Sequence, residues 1–239
     1  KIVDLKRNTV LPGICDCHIH LFISKDLTFD IDALGKSKSE ILEEVKKHAD
    51  SLSDGEWITG IGWNQDDWEE NSFPTKEELD EVAPNNPVKL ARYCGNAYWC
   101  NSMALDLAGI TTNSLIGNGG AEFNINEKGE LIGTLVGEAC RRIDEVIPSF
   151  TDDEYHDLLM SSQNEMVKYG ITSVMDKGLG AISALSDNCG RKILPIIKEM
   201  YKSKILKVRL YESIIGTDEF FDDCFAEGPQ IGLYDNKLT

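Results

Sequence analysis

Basic residues are scarce in this 239-residue chain: 24 Lys and Arg against 41 Asp and Glu leave a formal charge of −17. The deficit excludes a nucleic-acid binder, because phosphate recognition needs a basic stripe and none is present. Long apolar runs are missing too; none approaches the roughly 20 residues that a membrane helix needs. The seven cysteines (Cys15, Cys17, Cys94, Cys100, Cys140, Cys189 and Cys224) include no Cys-x-x-Cys pair, and an odd number cannot all be bridged. Their scatter suits a reducing, cytoplasmic setting better than a disulfide scaffold. Repeats and low-complexity tracts are absent. There is no Gly-x-Ser-x-Gly elbow, the commonest cue for a serine hydrolase. Gly117-Asn-Gly-Gly120 lacks the following Lys-Ser/Thr of a phosphate loop. No signal peptide opens the chain, and Lys1 is not an initiator Met, so an original start could be missing.

What is present is enough for a folded core: 41% hydrophobic and 8% aromatic residues, in a length that allows one large domain or two small ones. Val10 to Leu21 predicts a strand entered through the Pro12-Gly13 turn. Ser37 and Glu40 form a capping box for a helix to Leu52, with Ile41, Leu42, Val45, Ala49 and Leu52 as its apolar stripe. From Asp54 to Phe150 the chain is rich in Gly, Asn and aromatics. Strands are expected at 57–63, 87–93 and 131–136, helices at 101–108 and around 137–146, and a turn-rich stretch at 117–130. After Phe150 the pattern is cleaner. Thr151 and Glu154 cap a helix that Gly170 closes, Ile171 to Asp176 is a strand, 191–202 is a helix with Pro195 as a kink or restart, and Lys207 to Tyr211 is the next strand. Alternating strands and helices at this spacing predict α/β architecture with parallel strands.

The best chemical signal is Asp16-Cys17-His18-Ile19-His20. Alternation along a strand puts Asp16, His18 and His20 on one face and Cys15, Cys17 and Ile19 on the other. Two imidazoles on one face can converge on a divalent cation such as Zn²⁺. The same alternation turns the thiols away from them. By itself, His-x-His is equally compatible with a hydrogen-bonded pair on a part-exposed strand.

The stretch Leu11-Pro-Gly-Ile-Cys-Asp-Cys-His-Ile-His20 resembles the first barrel strand of the amidohydrolase superfamily. Further segments are similar to amidohydrolase family 3, the YtcJ-like and N-substituted formamide deformylase-like branch. They are Gly60-Ile-Gly-Trp63; Pro74-Thr75 with Leu79-Asp80; Pro84 and Pro87-Val88; Asn101 to Leu105 with Ala108-Gly-Ile110; Gly129 with Gly133; and Gly170 to Val174 with Asp176. They keep the family's order across nearly the whole chain.

The resemblance implies a metal-dependent hydrolase (β/α)8 TIM barrel, here incomplete, with an α+β subdomain inserted between the first two barrel strands. Residues 1–53 would hold the first strand and helix, 54–150 the insertion, and 151–239 further β/α units, cut after 239. It implies that His18 and His20 bind a divalent metal, most simply Zn²⁺, one or two per full-length chain. Asp16 would support the histidines, and Asp176 would hydrogen-bond near the metal. Trp63 and Asn96 would contact substrate, while Trp57, Trp68 and Trp99 pack the insertion. Asn96 stands where the family commonly has a histidine, so a titrating group there is replaced by one that only hydrogen-bonds. The other histidines, His48 and His156, fall on predicted helices. The family's later ligands lie on downstream strands, so this piece is expected to be inactive alone and could pair with a second copy along its open edge. The implied activity of the whole is hydrolysis of a C–N bond in a small amide, formamide or cyclic amide. The alternative is a sensor or regulatory binding protein that keeps the barrel without the chemistry.

Overall fold

The computed structural model describes residues 2–21, 29–112, 121–179, 189–215 and 219–239; Gly117–Gly120 lie outside them. Along the chain run β1 (Ile14–Ile19), β2 (Ile31–Asp32), α1 (Lys38–Ala49), β3 (Ile58–Trp63), α2 (Lys76–Val82), β4 (Val88–Arg92), β5 (Ala97–Cys100), α3 (Ser102–Leu107), β6 (Ala121–Ile125), β7 (Leu131–Gly137), α4 (Glu138–Asp144), α5 (Asp152–Lys168), β8 (Ile171–Leu179), α6 (Cys189–Lys202), β9 (Arg209–Ile214) and α7 (Glu219–Glu227). Both predicted capping boxes form: Ser37 with Glu40 opens α1, and Thr151 with Glu154 opens α5. Pro195 lies inside α6, which runs through it. The chain divides into two compact units, one of residues 1–23, 151–181 and 190–239, the other of 24–150 and 182–189.

In the first unit β1, β8 and β9 form a parallel sheet in that order. Parallel neighbours need long crossovers, here carrying α5 and α6. The register sets Ile19 beside Asp176 and Asp176 beside Glu212. One sheet face carries the buried Val174, Asp176 and Leu210. The other carries Ser173, Met175, Lys177, Arg209, Tyr211 and Ser213, all half-buried or exposed. Residues 237–239 lie along the outer edge of β9: Leu210 N–H donates to the Lys237 carbonyl at 2.7 Å, and Glu212 N–H to that of Thr239 at 2.8 Å.

The second unit is a six-stranded mixed sheet, β2-β3-β4-β5-β7-β6, parallel from β2 to β4 and antiparallel beyond. Alternation builds a core on each face. Leu90, Ala97 and Trp99 join Ile31, Ile41, Val45, Ile58 and Leu79 in one cluster. Ala91, Tyr98 and Cys100 join Leu105, Leu135 and Ile143 in the other. Helix α1, expected beside the first strand, belongs here instead, because Ile41 and Val45 are buried against β2 and β3 residues. Three short strands, β2, β5 and β6, escape prediction.

Two motif residues have clear structural causes. Gly133 has φ +95°, and a Cβ there would sit 2.5 Å from the Cys100 carbonyl oxygen, so a side chain is excluded. Asn101 is buried and uses all of its hydrogen-bonding capacity. Its Oδ1 accepts from Val88 N–H (2.9 Å) and Ala104 N–H (3.0 Å), and its Nδ2 donates to the carbonyls of Ala83 (3.2 Å) and Asn86 (2.8 Å). The same unit buries an ion pair. Lys89 Nζ meets Asp144 Oδ1 at 2.9 Å, Tyr98 Oη donates to Asp144 Oδ2 at 2.9 Å, and the ammonium lies 4.2 Å from the Tyr98 ring centre.

Candidate metal centre

His18 and His20 sit at the C-terminal end of β1, both exposed. Their rings meet edge to face, with centroids 5.6 Å apart at an interplanar angle of 77°, so they leave the strand on the same side. Two imidazoles on one tetrahedral ion, at Zn–N distances of about 2.0–2.1 Å, would have centroids roughly 5 Å apart. The pair therefore fits a shared divalent cation. Among the described residues no third His, Cys, Asp or Glu completes a cluster around them. A catalytic zinc site needs about three protein ligands, so the pair by itself does not complete one among the described residues.

Asp16 departs from the expected alternation. Between Asp16 and Ile19 the pairing with β8 slips by one residue, Asp16 lying opposite Val174 and Ile19 opposite Asp176. A bulge of this kind breaks the two-residue period. Asp16 no longer shares a face with the histidines by register; its Oδ1 instead accepts the His18 backbone N–H at 3.2 Å, a local turn contact.

Asp176 is fully buried, and its Oδ1 accepts the Leu21 N–H at 3.0 Å, one residue beyond His20. Beside it on β9 is Glu212, a functional candidate the sequence reading missed. Asp176 Oδ2 and both Glu212 carboxyl oxygens are buried without an N–H or hydroxyl donor. Burial first, and the neighbouring Asp176 second, push the Glu212 carboxyl up to about 10. Burial also raises Asp176, against the Leu21 N–H and the nearby His20, which favour its charge. Two like charges side by side in a buried place oppose each other's ionisation, so both carboxyls are shifted in the same, upward direction. Continuing the period-two pattern from Leu210 would have placed Glu212 on the buried face.

Trp63 is a core residue rather than a pocket wall. It is 0% exposed, its indole N–H donates to the Leu90 carbonyl at 2.7 Å, and its ring stacks on Trp68. Asn96 is exposed in the turn between β4 and β5, after Gly95 at φ +74°, and its carbonyl accepts the Gly137 N–H at 2.9 Å. Both belong to the second unit. His48 and His156 lie on α1 and α5, as expected.

Comparison with known proteins gives the family. The chain is 33% identical over 193 residues to an N-substituted formamide deformylase of Arthrobacter pascens, covering 77% of this chain and 35% of that protein. It is 32% identical over 172 residues to the putative amidohydrolase YtcJ of Bacillus subtilis (strain 168), covering 71% and 32%. The chain thus spans about a third of the length of the curated relatives it matches. A crystal structure of an uncharacterized metal-dependent hydrolase from Pyrococcus horikoshii superposes with a TM-score of 0.61 at 21% identity, covering 95% of this chain and 41% of that one, a likeness of fold. Residues 1–203 match the amidohydrolase family Amidohydro_3, and the chain belongs to that family.

Proposed function

We propose that this chain is the metal-histidine portion of a hydrolase that cleaves a C–N bond in a small amide, formamide or cyclic amide. The observation that carries the reading is the edge-to-face pair His18 and His20, exposed together at the end of β1. In this reading the three parallel strands open a (β/α)8 barrel, whose sites lie at the C-terminal strand ends, and the second unit is its insertion. A divalent ion, most simply Zn²⁺, would supply Lewis-acid polarisation of a carbonyl and a water of lowered pKa. The chain's own contribution is to hold two neutral imidazoles in position. Asp176 assists by fixing the backbone at Leu21. With two ligands among the described residues, the 239 residues alone bind metal weakly and turn over no substrate.

The test is titration with Co²⁺, followed by its visible absorption, and competition by Zn²⁺. A single weak site is expected, lost in both His18→Ala and His20→Ala. Stoichiometric metal retained by His18→Ala would overturn the ligand assignment.

A further inference from the structure

We infer that Ser162 on α5 is a positioning residue for the metal histidines: together with Asp176 it clamps the backbone immediately after His20. This deepens the metal-centre reading and rests on it. The pairing of β1 with β8 runs as far as Ile19, opposite Asp176. His20 and Leu21 therefore lie past the last rung of the ladder, and their backbone groups need other partners. Two side chains supply them. Asp176 Oδ1 accepts the Leu21 N–H at 3.0 Å, and Ser162 Oγ donates to the Leu21 carbonyl at 2.7 Å. The first bond holds the peptide plane that joins His20 to Leu21, and the second holds the plane after it. The Leu21 side chain is a third anchor, for the residue is only 6% exposed.

Ser162 stands where an apolar side chain would be expected. It follows Leu158 by four residues and Leu159 by three, on the stripe of α5 that buries Tyr155, Leu158 and Leu159. A serine inside a helix commonly turns back on the carbonyl four residues earlier. This one instead reaches the end of β1, across 141 residues of sequence. Exposed at that strand end, His20 meets the His18 ring and lies by Gly178, whose φ is +144° and where a Cβ would come within 3.9 Å of its Nδ1. At that point β8 offers no side chain to hold the imidazole. The direction of the ring is set from the backbone, through the clamp at Leu21.

The test compares wild type with Ser162→Ala, with Ser162→Thr, which keeps the hydroxyl, and with Gln163→Ala as a control. Gln163 bonds to the Lys207 N–H and the Ile205 carbonyl, so it ties α5 to a different segment, the one before β9. Co²⁺ titration should find binding about tenfold weaker in Ser162→Ala, mostly restored in Ser162→Thr, and unchanged in Gln163→Ala, although urea unfolding finds both alanine variants destabilised. In metal-free protein, NMR should find the His20 ring resonances shifted and the Leu21 amide exchanging faster in Ser162→Ala, with both as in wild type in Gln163→Ala. Wild-type Co²⁺ affinity and His20 resonances in Ser162→Ala, or an equal loss in Gln163→Ala, would overturn the assignment. Should wild type bind no Co²⁺, the metal reading fails, while the metal-free spectra still decide whether Ser162 holds His20.

Discussion

Asp176 accepts the backbone N–H of Leu21 at 3.0 Å, a contact between residues 155 apart in sequence that ties β8 to the turn just past His20. Hydrogen-bonding groups behind metal histidines fix their orientation, and losing them typically costs 10–100-fold in metal affinity. Asp176→Ala should therefore weaken Co²⁺ binding by about tenfold and cost about 1–3 kcal/mol of stability, from the orphaned N–H. Asp176→Asn keeps an acceptor and should lose less of both. Metal titration and urea unfolding of the two variants measure this.

Glu212 gives a pH signature. Its carboxyl ionises near 4.5 when unfolded but keeps its proton to about 10 when folded. The native state thus binds more protons across that window. Its contribution is fully present below the lower value and is lost as pH rises, levelling off above the upper one. Asp176, also raised, acts in the same sense. Glu212→Gln mimics the protonated form, so its Tm should fall less than wild type between about pH 5 and pH 9. An identical fall would show that Glu212 is ionised in the fold.

In the second unit, Asp144→Ala leaves the Lys89 ammonium, 1% exposed, without its counter-ion. Breaking one side of a buried pair costs about 3–5 kcal/mol, whereas replacing both sides with apolar groups can be neutral. Urea denaturation should find Lys89→Met with Asp144→Leu closer to wild type than Asp144→Ala.

Asn101→Ala orphans two N–H groups and two carbonyls at once. At about 1–3 kcal/mol for each buried unpaired group, it should unfold the second unit or nearly so. Asn101→Asp keeps the acceptor but loses both donors, and should fall between Ala and wild type. Thermal unfolding by circular dichroism separates the three.

Local patterns carried much of this protein. The capping boxes at Ser37 and Thr151 mark real helix starts, because both partners lie within one turn of chain. The His18–His20 convergence is legible for a similar reason: the two residues are neighbours two apart in one short segment, and their rings meet. Tertiary structure decided what depends on a distant partner. Whether Asp16 keeps step with the histidines depends on its pairing with β8, far along the chain, and that pairing slips between Asp16 and Ile19. Trp63 became core because Trp68 and the Leu90 carbonyl meet its indole, and α1 joined the second unit because β2 and β3 offered it apolar surface. Glu212 and Lys177 differ in environment by the side of the sheet on which each stands. Alternation along one strand tells which residues are together, but only packing tells which side is buried.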